Sequence, residues 1–170
     1  MNLFIRKMTI DDIPAAVELD KMSFSLPWPE RSFRFELTDN PASRCWVAEV
    51  DGSIVGMIVV WLLVAEAHVA TLATHPNFRR QGIAKRLLSH SLQVLSAEGA
   101  QNSFLEVRAS NIAAQEMYHK FGYKESGRRR HYYKDNDEDA ILMHLDSLQV
   151  ERFMSAIGPS TLDKEEQNER

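Results

Sequence analysis

Apolar residues recur along this chain with two different spacings, and the two spacings alternate as far as residue 146. Spacings of three and four, typical of amphipathic helices, occur in "TIDDIPAAVELDKMSF", in "LPWPERSFRFEL", in the segment after Gly82 and in "NIAAQEMYHKFG". Alternating or short continuous apolar runs, typical of strands, occur in "LFIRKM", "SRCWVAEV", "SIVGMIVVWLLV", "EAHVATLATHP", "SFLEVRA", "YKESGRRRHYY" and "DAILMHL". The pattern predicts the order β, α, α, β, β, β, α, β, α, β, β.

Local signals indicate where some of these elements begin and turn. The pair Asp51-Gly52 tolerates positive φ and predicts a tight hairpin between the second and third strands. Thr9, followed three residues later by Asp12, predicts the start of the first helix through a variant of the capping box. Residues 135–137 predict the turn of a final hairpin.

The pattern weakens after Asp146, so we divide the chain into a domain of residues 1–146 and a C-terminal extension of residues 147–170. Four apolar residues in the extension are spaced for one or two amphipathic turns, namely Val150, Phe153, Met154 and Ile157. The last stretch, "STLDKEEQNER", is polar throughout, and its composition is typical of a disordered tail.

Composition excludes several classes of protein. With 170 residues and 44% hydrophobic residues, the chain has the size of one domain with a substantial core. The formal net charge of −4 argues against a protein that coats nucleic acid. The longest apolar run, residues 54–64, is shorter than the roughly 18 residues that span a membrane, and the N-terminus lacks a secretory pattern. We therefore expect a cytoplasmic protein that binds neither nucleic acid nor a membrane.

Cysteine and histidine are sparse and give no sign of a metal site. Cys45, the single cysteine, lies beside Trp46 and is more typical of a core residue than of a nucleophile. His119, His131 and His144 have no partners at metal-ligand spacing. We therefore predict no metal ion.

The segment "HPNFRRQGIAKRLL" runs from a loop into a helix without the usual Ser, Thr, Asp or Asn cap. The start of a helix has unpaired N–H groups and the positive end of the helix dipole, so it attracts phosphate, and Gly82 lets a ligand approach the backbone. Arg79, Arg80 and Lys85 add positive charge. On this loop alone, a solvated surface rich in arginine explains the pattern equally well. Neither a Walker loop nor a Rossmann fingerprint is present.

Longer motifs resolve this choice through a family resemblance. "RRQGIA" is similar to the R/Q-x-x-G-x-G/A signature with which the GCN5-related N-acetyltransferase (GNAT) superfamily binds acyl-CoA, with Ala84 at its last position. "FLEVRASNIAAQEMYHKFGY", followed by "RRRHYY" and "EDAILMHL", resembles RimI-type ribosomal-protein-alanine N-acetyltransferases and archaeal N-terminal acetyltransferases. The resemblance covers residues 3–146. It implies an α/β (α+β) GNAT fold, with a central mixed, mostly antiparallel seven-stranded sheet flanked by about four helices.

The same resemblance implies acetyl-CoA as the cosubstrate. Backbone groups of residues 72–74 are expected to pair with the pantetheine arm, and the amides of residues 80–85 to wrap the pyrophosphate. The pyrophosphate then takes the place of a helix cap. The predicted cofactor-binding residues are Leu72, Ala73, Thr74, Arg79, Arg80, Gln81, Gly82, Ile83, Ala84, Lys85, Asn111 and Tyr118.

Acetyl transfer to an amine needs a group that takes the amine's proton and one that protonates the departing sulfur. Glu106 alternates with Leu105 and Val107, which gives it access to a cleft, and the resemblance makes it the general base, directly or through a water. The resemblance makes Tyr118 the acid. The alternatives are an exposed strand carboxylate for Glu106 and a core aromatic for Tyr118.

A second candidate base lies on the fourth predicted strand, where Glu66 and His68 alternate onto one face. Archaeal relatives have a similar E-x-H pattern near the amine. Because an imidazole titrates at about 6.5 and an α-amine at about 7.7–8.0, either base is chemically adequate. The sequence leaves the choice between Glu106 and the Glu66–His68 pair open.

The predicted acceptor groove has two walls, which come from distant parts of the sequence. In similar enzymes the final hairpin forms one wall, here with Tyr132 and Tyr133 beside Arg129 and Arg130. The opposite wall comes from the loop between the first two helices, with Phe24, Leu26 and Trp28. The arginines have an alternative role as charges that protect a sheet edge.

The leading hypothesis is an acetyl-CoA-dependent N-acetyltransferase acting on a protein N-terminal α-amine, with the N-terminal alanine of a ribosomal protein as the foremost acceptor. The alternatives are a lysine or small-molecule amine as acceptor, or a non-catalytic acyl-CoA-binding regulatory module. A paired proton acceptor and donor, Glu106 and Tyr118, argues against the regulatory module. We expect a monomer or weak dimer.

Overall fold

The structure is a computed structural model that describes residues 2–149, so the predicted amphipathic turns and polar tail of the extension lie outside the described residues. Seven strands form one sheet in the order β1-β2-β3-β4-β5-β7-β6. Only β4 and β5 are parallel among the described strands. The strands are β1 (Leu3–Lys7), β2 (Ser43–Val50), β3 (Ser53–Leu63), β4 (Glu66–Thr74), β5 (Asn102–Arg108), β6 (Lys124–Tyr133) and β7 (Glu138–Leu145). The predicted mixed, mostly antiparallel sheet is confirmed.

Four α-helices within residues 2–149 flank the sheet, namely α1 (Ile13–Ser23), α2 (Glu30–Thr38), α3 (Ile83–Ala97) and α4 (Ile112–Phe121). None of them combines the length and the apolar character needed to span a membrane. The order of strands and helices is the predicted one.

The first helix begins later than predicted. Residues 10–12 form a 3-10 turn, and α1 starts at Ile13 with Pro14 in its first turn. The Asp12 carboxylate accepts a hydrogen bond from the Thr9 amide at 2.8 Å. It also accepts hydrogen bonds from both terminal nitrogens of Arg6, at 2.8 and 2.9 Å. These bonds lower the pKa of Asp12, chiefly through Arg6. The Thr9–Asp12 pair therefore caps a tight turn that precedes the α-helix.

Two hydrophobic clusters hold the helices on opposite faces of the sheet. One joins Leu87, Leu88 and their neighbours in α3 to Ile58 and Val60 of β3. The other joins residues of α1 and α2 to alternate residues of β2 and β3, including Ile13, Leu19, Phe33, Val47 and Val59. Cys45 is buried in the second cluster, as predicted, and burial raises the pKa of its thiol.

The predicted hairpin turns are present. Asp51 and Gly52 both have positive φ, 50° and 81°, and join β2 to β3. Residues 134–137 join β6 to β7.

The parallel pair β4–β5 separates part of the way along its length. Its pairing runs from Glu66–Asn102 to Val69–Leu105, although β4 continues to Thr74 and β5 to Arg108. The register between β3 and β4 shifts just beyond this point, because Val59 pairs with Thr71 and Val60 with Val69. Ala70 is left between them as a bulge, which bends the strand. The sheet therefore opens between the C-terminal halves of β4 and β5.

Gly56 brings α3 close to the sheet. A Cβ atom built on Gly56 would lie 2.8 Å from Ile83 Cγ2 and 3.0 Å from Leu87 Cδ1. Both atoms belong to buried side chains of α3. Only glycine allows this approach, which sets where the first turn of α3 lies beside the opening.

We predict that Gly56→Ala destabilises the fold by about 1–3 kcal/mol, because α3 must shift to accommodate the methyl group. Thermal unfolding measures this loss. Gly127→Ala in β6 is the matched control, since its Cβ would lie 3.5 Å from Leu142 Cδ1, an ordinary contact. Equal melting temperatures for Gly56→Ala and Gly127→Ala would contradict the close packing of α3.

Candidate active site

The opening between β4 and β5 leads into two cavities of nearly equal size. Their volumes are about 480 and 470 Å³. The cavities share three lining residues, Leu72, Ala114 and Tyr118. We call them the first and the second cavity, and the shared residues mark their junction.

The first cavity lies between the loop before α3 and one face of α4. Its charged side chains are mainly positive, because Arg79, Arg80, Lys85 and Lys120 outnumber Glu116. The full lining is Leu72, Thr74, Phe78, Arg79, Arg80, Gly82, Ile83, Ala84, Lys85, Ala113, Ala114, Glu116, Met117, Tyr118 and Lys120. An anionic ligand suits a cavity of this charge.

Backbone conformation makes Gly82 necessary at the start of α3. Gly82 is the N-cap residue with φ 81° and ψ 6°, and none of the described side chains caps this helix end. A Cβ atom there would meet nothing within 4 Å, so the requirement comes from the positive φ and not from crowding within the chain. Arg80 also has positive φ, 65°. The first-turn amides of α3 therefore have no side-chain cap within residues 2–149.

The loop before α3 is held by its own side chains. Arg79 Nε donates to the Thr74 carbonyl at 3.2 Å, and Gln81 Nε2 donates to the Asn77 carbonyl at 3.3 Å. The Gln81 side chain thus turns toward the loop and does not line the cavity. Thr74 does line it, and its hydroxyl oxygen is buried without a hydrogen-bond partner in the described part of the chain.

The second cavity lies between the loop joining α1 to α2 and the end of β5. One side carries the apolar residues Phe24, Leu26 and Trp28, and the other carries Glu106 and Tyr133. The full lining is Asp20, Ser23, Phe24, Ser25, Leu26, Trp28, Val69, Ala70, Thr71, Leu72, Leu105, Glu106, Val107, Arg108, Asn111, Ala114, Tyr118 and Tyr133. The predicted groove residues of both walls thus meet around one cavity, except Tyr132.

Two side chains of β6 orient the Glu106 carboxylate. Arg129 Nε lies 3.0 Å from Glu106 Oε1, and the Tyr132 hydroxyl bonds to the same carboxylate. The charge of Glu106 is the main reason why the pKa of Tyr132 is raised. Tyr132 therefore contacts the site through Glu106 without lining the cavity.

Tyr118 is the aromatic residue at the junction of the cavities. It is 7% exposed, and its ring packs edge-on against Tyr123 with centroids 5.6 Å apart. Burial, and next the neighbouring Tyr133, raise the pKa of the Tyr118 hydroxyl well above its usual range. The hydroxyl therefore keeps its proton at neutral pH and has the protonation state that an acid requires.

Glu66 and His68 lie outside both cavities. Their side chains bond to each other, with His68 Nε2 2.7 Å from Glu66 Oε2. The His68 ring stacks on Phe104 with centroids 5.3 Å apart. All three residues belong to the part of β4 and β5 that remains paired. The structure thus separates this pair from the cavities that Glu106 and Tyr118 line.

Two other predicted cofactor residues, Ala73 and Asn111, do not line the first cavity. Ala73 is buried in the cluster shared with α1 and α2, so only its backbone is available to a ligand. Asn111 caps α4, where its Oδ1 accepts the Ala114 amide at 3.2 Å. Asn111 lines the second cavity instead of the first.

Arg108 is a residue of this site that the sequence analysis missed. Its two terminal nitrogens each lie 3.1 Å from a carboxylate oxygen of Asp135, in the turn between β6 and β7. Nη2 also donates to Ser25 Oγ at 3.2 Å, and the guanidinium lies 3.8 Å from the centre of the Tyr133 ring. Arg108 thus ties the loop between α1 and α2 to the turn between β6 and β7.

Glu138 extends this network to the start of α4. Its Oε1 accepts the Ser110 amide at 2.6 Å, and its Oε2 lies 3.4 Å from Arg108 Nη1. Bonds from Ser110 and Asn136, with a smaller effect of Arg108, lower the pKa of Glu138 to about 2. The available signal in the sequence was that Arg108 follows Glu106 on the same strand face, but its partner Asp135 lies 27 residues away.

No group of His, Cys, Asp and Glu side chains among residues 2–149 is arranged to hold a metal ion.

Comparison with known proteins agrees with this geometry. Residues 13–123 match the model of the acetyltransferase (GNAT) family. The chain is 36% identical over 139 residues to a putative ribosomal protein bS18-alanine N-acetyltransferase of Bacillus subtilis, with 82% of this chain and 92% of that protein covered. It is 34% identical over 152 residues to an N-alpha-acetyltransferase of Sulfurisphaera tokodaii, with 82% and 90% covered.

A solved structure shows the same fold. The crystal structure of the ribosomal-protein-S18-alanine N-acetyltransferase from Escherichia coli matches with a TM-score of 0.78 and 31% identity, covering 85% of this chain and 93% of that chain. The chain therefore belongs to the GNAT acetyltransferase family and is an acetyl-CoA-dependent N-acetyltransferase. The family, the enzyme class and the cosubstrate predicted from the sequence are confirmed.

The hydrogen bonds of Arg108 predict how mobile the loop between α1 and α2 and the turn between β6 and β7 are. Arg108→Met keeps the aliphatic part of the side chain and removes its hydrogen bonds. We expect amide hydrogen exchange in residues 24–28 and 134–137 to become roughly three- to tenfold faster. Arg34→Met is the control, because Arg34 pairs with Glu30 within α2 at 3.1 Å. Unchanged protection of both segments in Arg108→Met would show that Arg108 does not hold them.

Proposed function

We propose that this GNAT acetyltransferase transfers the acetyl group to the α-amine of a protein N-terminus, with the N-terminal alanine of a ribosomal protein as the foremost acceptor. The observation that carries the proposal is the junction of two cavities at Tyr118, one basic and the other lined by Glu106 and apolar side chains. The names of the bacterial relatives, which act on bS18 alanine, support this acceptor.

The residues around the first cavity suit acetyl-CoA. The open first turn of α3 offers amides to a pyrophosphate, and Arg79, Arg80 and Lys85 offer positive charge. The unpartnered hydroxyl of Thr74 offers a further polar contact. We assign the pantetheine arm to the backbone of residues 72–74 and the pyrophosphate to the amides of residues 80–85, so that Gln81 contributes its backbone only. Acetyl-CoA, when bound, supplies the acetyl group as a reactive thioester.

Asn111 serves this site by capping α4. Its bond to the Ala114 amide fixes the first turn of α4, and Ala114 lines both cavities. We assign to Asn111 a contact with the cosubstrate from the side of the second cavity.

Glu106 is the proposed proton acceptor. An α-amine with a pKa of about 7.7–8.0 is mostly protonated at neutral pH and must lose a proton before it attacks. The Glu106 carboxylate lines the cavity, and Arg129 and Tyr132 fix its orientation. It takes the proton directly or through a water. The Glu66–His68 pair has no such access to the cavity.

Tyr118 is the proposed proton donor. Its raised pKa keeps the hydroxyl protonated, and its place at the junction gives it access to the departing sulfur. The buried ring is held against Tyr123, so the hydroxyl is oriented before the reaction begins.

The second cavity suits the start of an extended peptide. Its apolar wall of Phe24, Leu26 and Trp28 suits an apolar first side chain such as the methyl group of alanine. Phe24, Leu26 and Trp28 form one wall of this groove and Tyr133 the other, with Tyr132 above Glu106. Both cavities are built from one chain, which supports a monomer or weak dimer as the active form.

We also propose that residues 1–146 form the catalytic unit, since β7 ends at Leu145 and every lining residue precedes it. A ribosomal acceptor implies that the enzyme works in the cytoplasm.

The function is tested by incubating the enzyme with acetyl-CoA and a short peptide that begins with alanine. We expect mass spectrometry to locate one acetyl group on the α-amine. Acetylation of a lysine side chain instead of the α-amine would reject the proposed acceptor.

The proton donor is tested by Tyr118→Phe, which keeps the ring and removes the hydroxyl. Turnover should fall roughly 10²- to 10⁴-fold while the melting temperature stays close to that of the wild type.

The base is tested by pH–rate profiles of three variants on the same peptide. Glu106→Gln should lower turnover about 10²-fold or more at pH 7, with partial rescue above pH ~8, where the amine loses its proton unaided. His68→Ala and Glu66→Gln should leave the profile almost unchanged. Full activity of Glu106→Gln across this range, with a loss in His68→Ala, would assign the base to the other pair.

A further inference from the structure

Two residues of α1 that line the second cavity each have a buried polar atom without a hydrogen-bond partner within residues 2–149. Asp20 is 1% exposed, and its Oδ2 accepts the Trp28 amide at 2.6 Å. Its Oδ1 has no hydrogen-bond partner in the described structure. Ser23 lies three residues on, on the same side of the helix, and its buried Oγ is also unpartnered. Both residues line the second cavity.

An unpartnered buried carboxylate oxygen is costly, so folded proteins rarely keep one without a functional reason. The bond from Trp28 satisfies one side of the Asp20 carboxylate and helps to shape the loop after α1. It leaves Oδ1 without a partner in the described structure. A ligand that donates hydrogen bonds to both atoms would remove this cost.

The charges around the cavity indicate what kind of ligand this is. Three charged residues line it, namely Asp20, Glu106 and Arg108. Arg108 is neutralised by Asp135 and Glu138, and Glu106 is paired with Arg129. Asp20 takes part in no ion pair within residues 2–149. Burial raises the pKa of the Asp20 carboxyl, and the bond from the Trp28 amide opposes this with a smaller effect, so the charged form of Asp20 needs a partner. A cation that donates several hydrogen bonds would stabilise that form.

We propose that Asp20 Oδ1 and Ser23 Oγ form the subsite that receives the α-ammonium group of the acceptor before it loses its proton. The inference rests on the proposed function, because it names where that acceptor is held. The ammonium group has three N–H donors, so it can bond to Asp20 and Ser23 and still give one proton to Glu106. Asp20 here is a binding residue, and the proton goes to Glu106.

The subsite also distinguishes substrate from product. After acetyl transfer the nitrogen is a neutral amide with one N–H, and it no longer offers a charge to Asp20. The acetylated peptide then leaves Asp20 unpaired again and is held more weakly. An enzyme of this design binds the free N-terminus and releases the modified one.

The test compares Asp20→Asn with the wild type. Asparagine keeps an oxygen for the Trp28 amide and removes the negative charge. We expect the KM for an alanine-starting peptide to rise about 10- to 100-fold, with kcat within about threefold and the affinity for acetyl-CoA unchanged. The melting temperature without peptide should not fall, because an unpaired buried charge has been removed.

A second readout separates ammonium binding from a structural role. In the presence of CoA, calorimetry measures the Kd of the free peptide and of the same peptide with an acetylated N-terminus. The wild type should prefer the free amine, and Asp20→Asn should reduce this preference toward equality. Ser23→Ala should reduce it less. Glu36→Gln is the matched control, since Glu36 is also buried but bonds to Asn40 and Trp61 outside the cavity.

An unchanged preference in folded Asp20→Asn would overturn the inference. So would a lower melting temperature with unchanged KM, which would assign Asp20 to the fold alone. If Asp20→Asn does not fold, the preference measured in Ser23→Ala decides, and an unchanged value overturns the inference. A wild-type enzyme that leaves the α-amine unmodified would instead reject the proposed function, and the inference with it, without any variant.

Discussion

The separation of β4 from β5 is the constraint on which the rest of the structure depends. Two paired strands leave no space between them, and these strands are paired only as far as Val69 and Leu105. Beyond that point the edge of β4 has no ladder partner on the side of β5, so its backbone polar groups remain available to a ligand. The bulge at Ala70 bends β4 away while β3 continues to hold it. Both cavities and their junction at Tyr118 follow from this one departure.

Ion pairs and hydrogen bonds join the walls of the second cavity to each other. Arg108 stands at the end of β5 and holds the loop after α1 and the turn after β6 in one network with Ser25 and Asp135. The walls of the second cavity are therefore set by charged hydrogen bonds across the sheet, while Gly56 sets the depth of α3 on the side of the first cavity. The elements that meet at the site are therefore held in place by contacts with other elements of the fold.

The sequence predicted the order of the elements because the spacing of apolar residues indicates which face of an element is buried. Both the strands and the helices of this fold bury an apolar face. The pattern placed the start of α1 too early, because Asp12 bonds to Arg6 as well as Thr9 and the turn stays 3-10. The sequence could not decide whether Glu106 or the Glu66–His68 pair is the base, because the alternating pattern predicts access to a cleft for all three residues. Only the register shows that β4 and β5 are still paired at His68. The Ala70 bulge and the Arg108 network depend on pairing between distant segments, which no local pattern records.

Charge, not size, distinguishes the two cavities. Their volumes are almost equal, but one is lined mainly by arginine and lysine and ends at the positive start of α3, and the other keeps one buried carboxylate without a cation. The basic cavity thus attracts an anionic cosubstrate and repels a cationic amine, and the cavity with the buried carboxylate does the reverse. Burial of Tyr118 between them raises the pKa of its hydroxyl further above its ordinary value. Among the charged residues of the second cavity, Glu106 and Arg108 are paired with other side chains, whereas Asp20 takes part in no ion pair within residues 2–149.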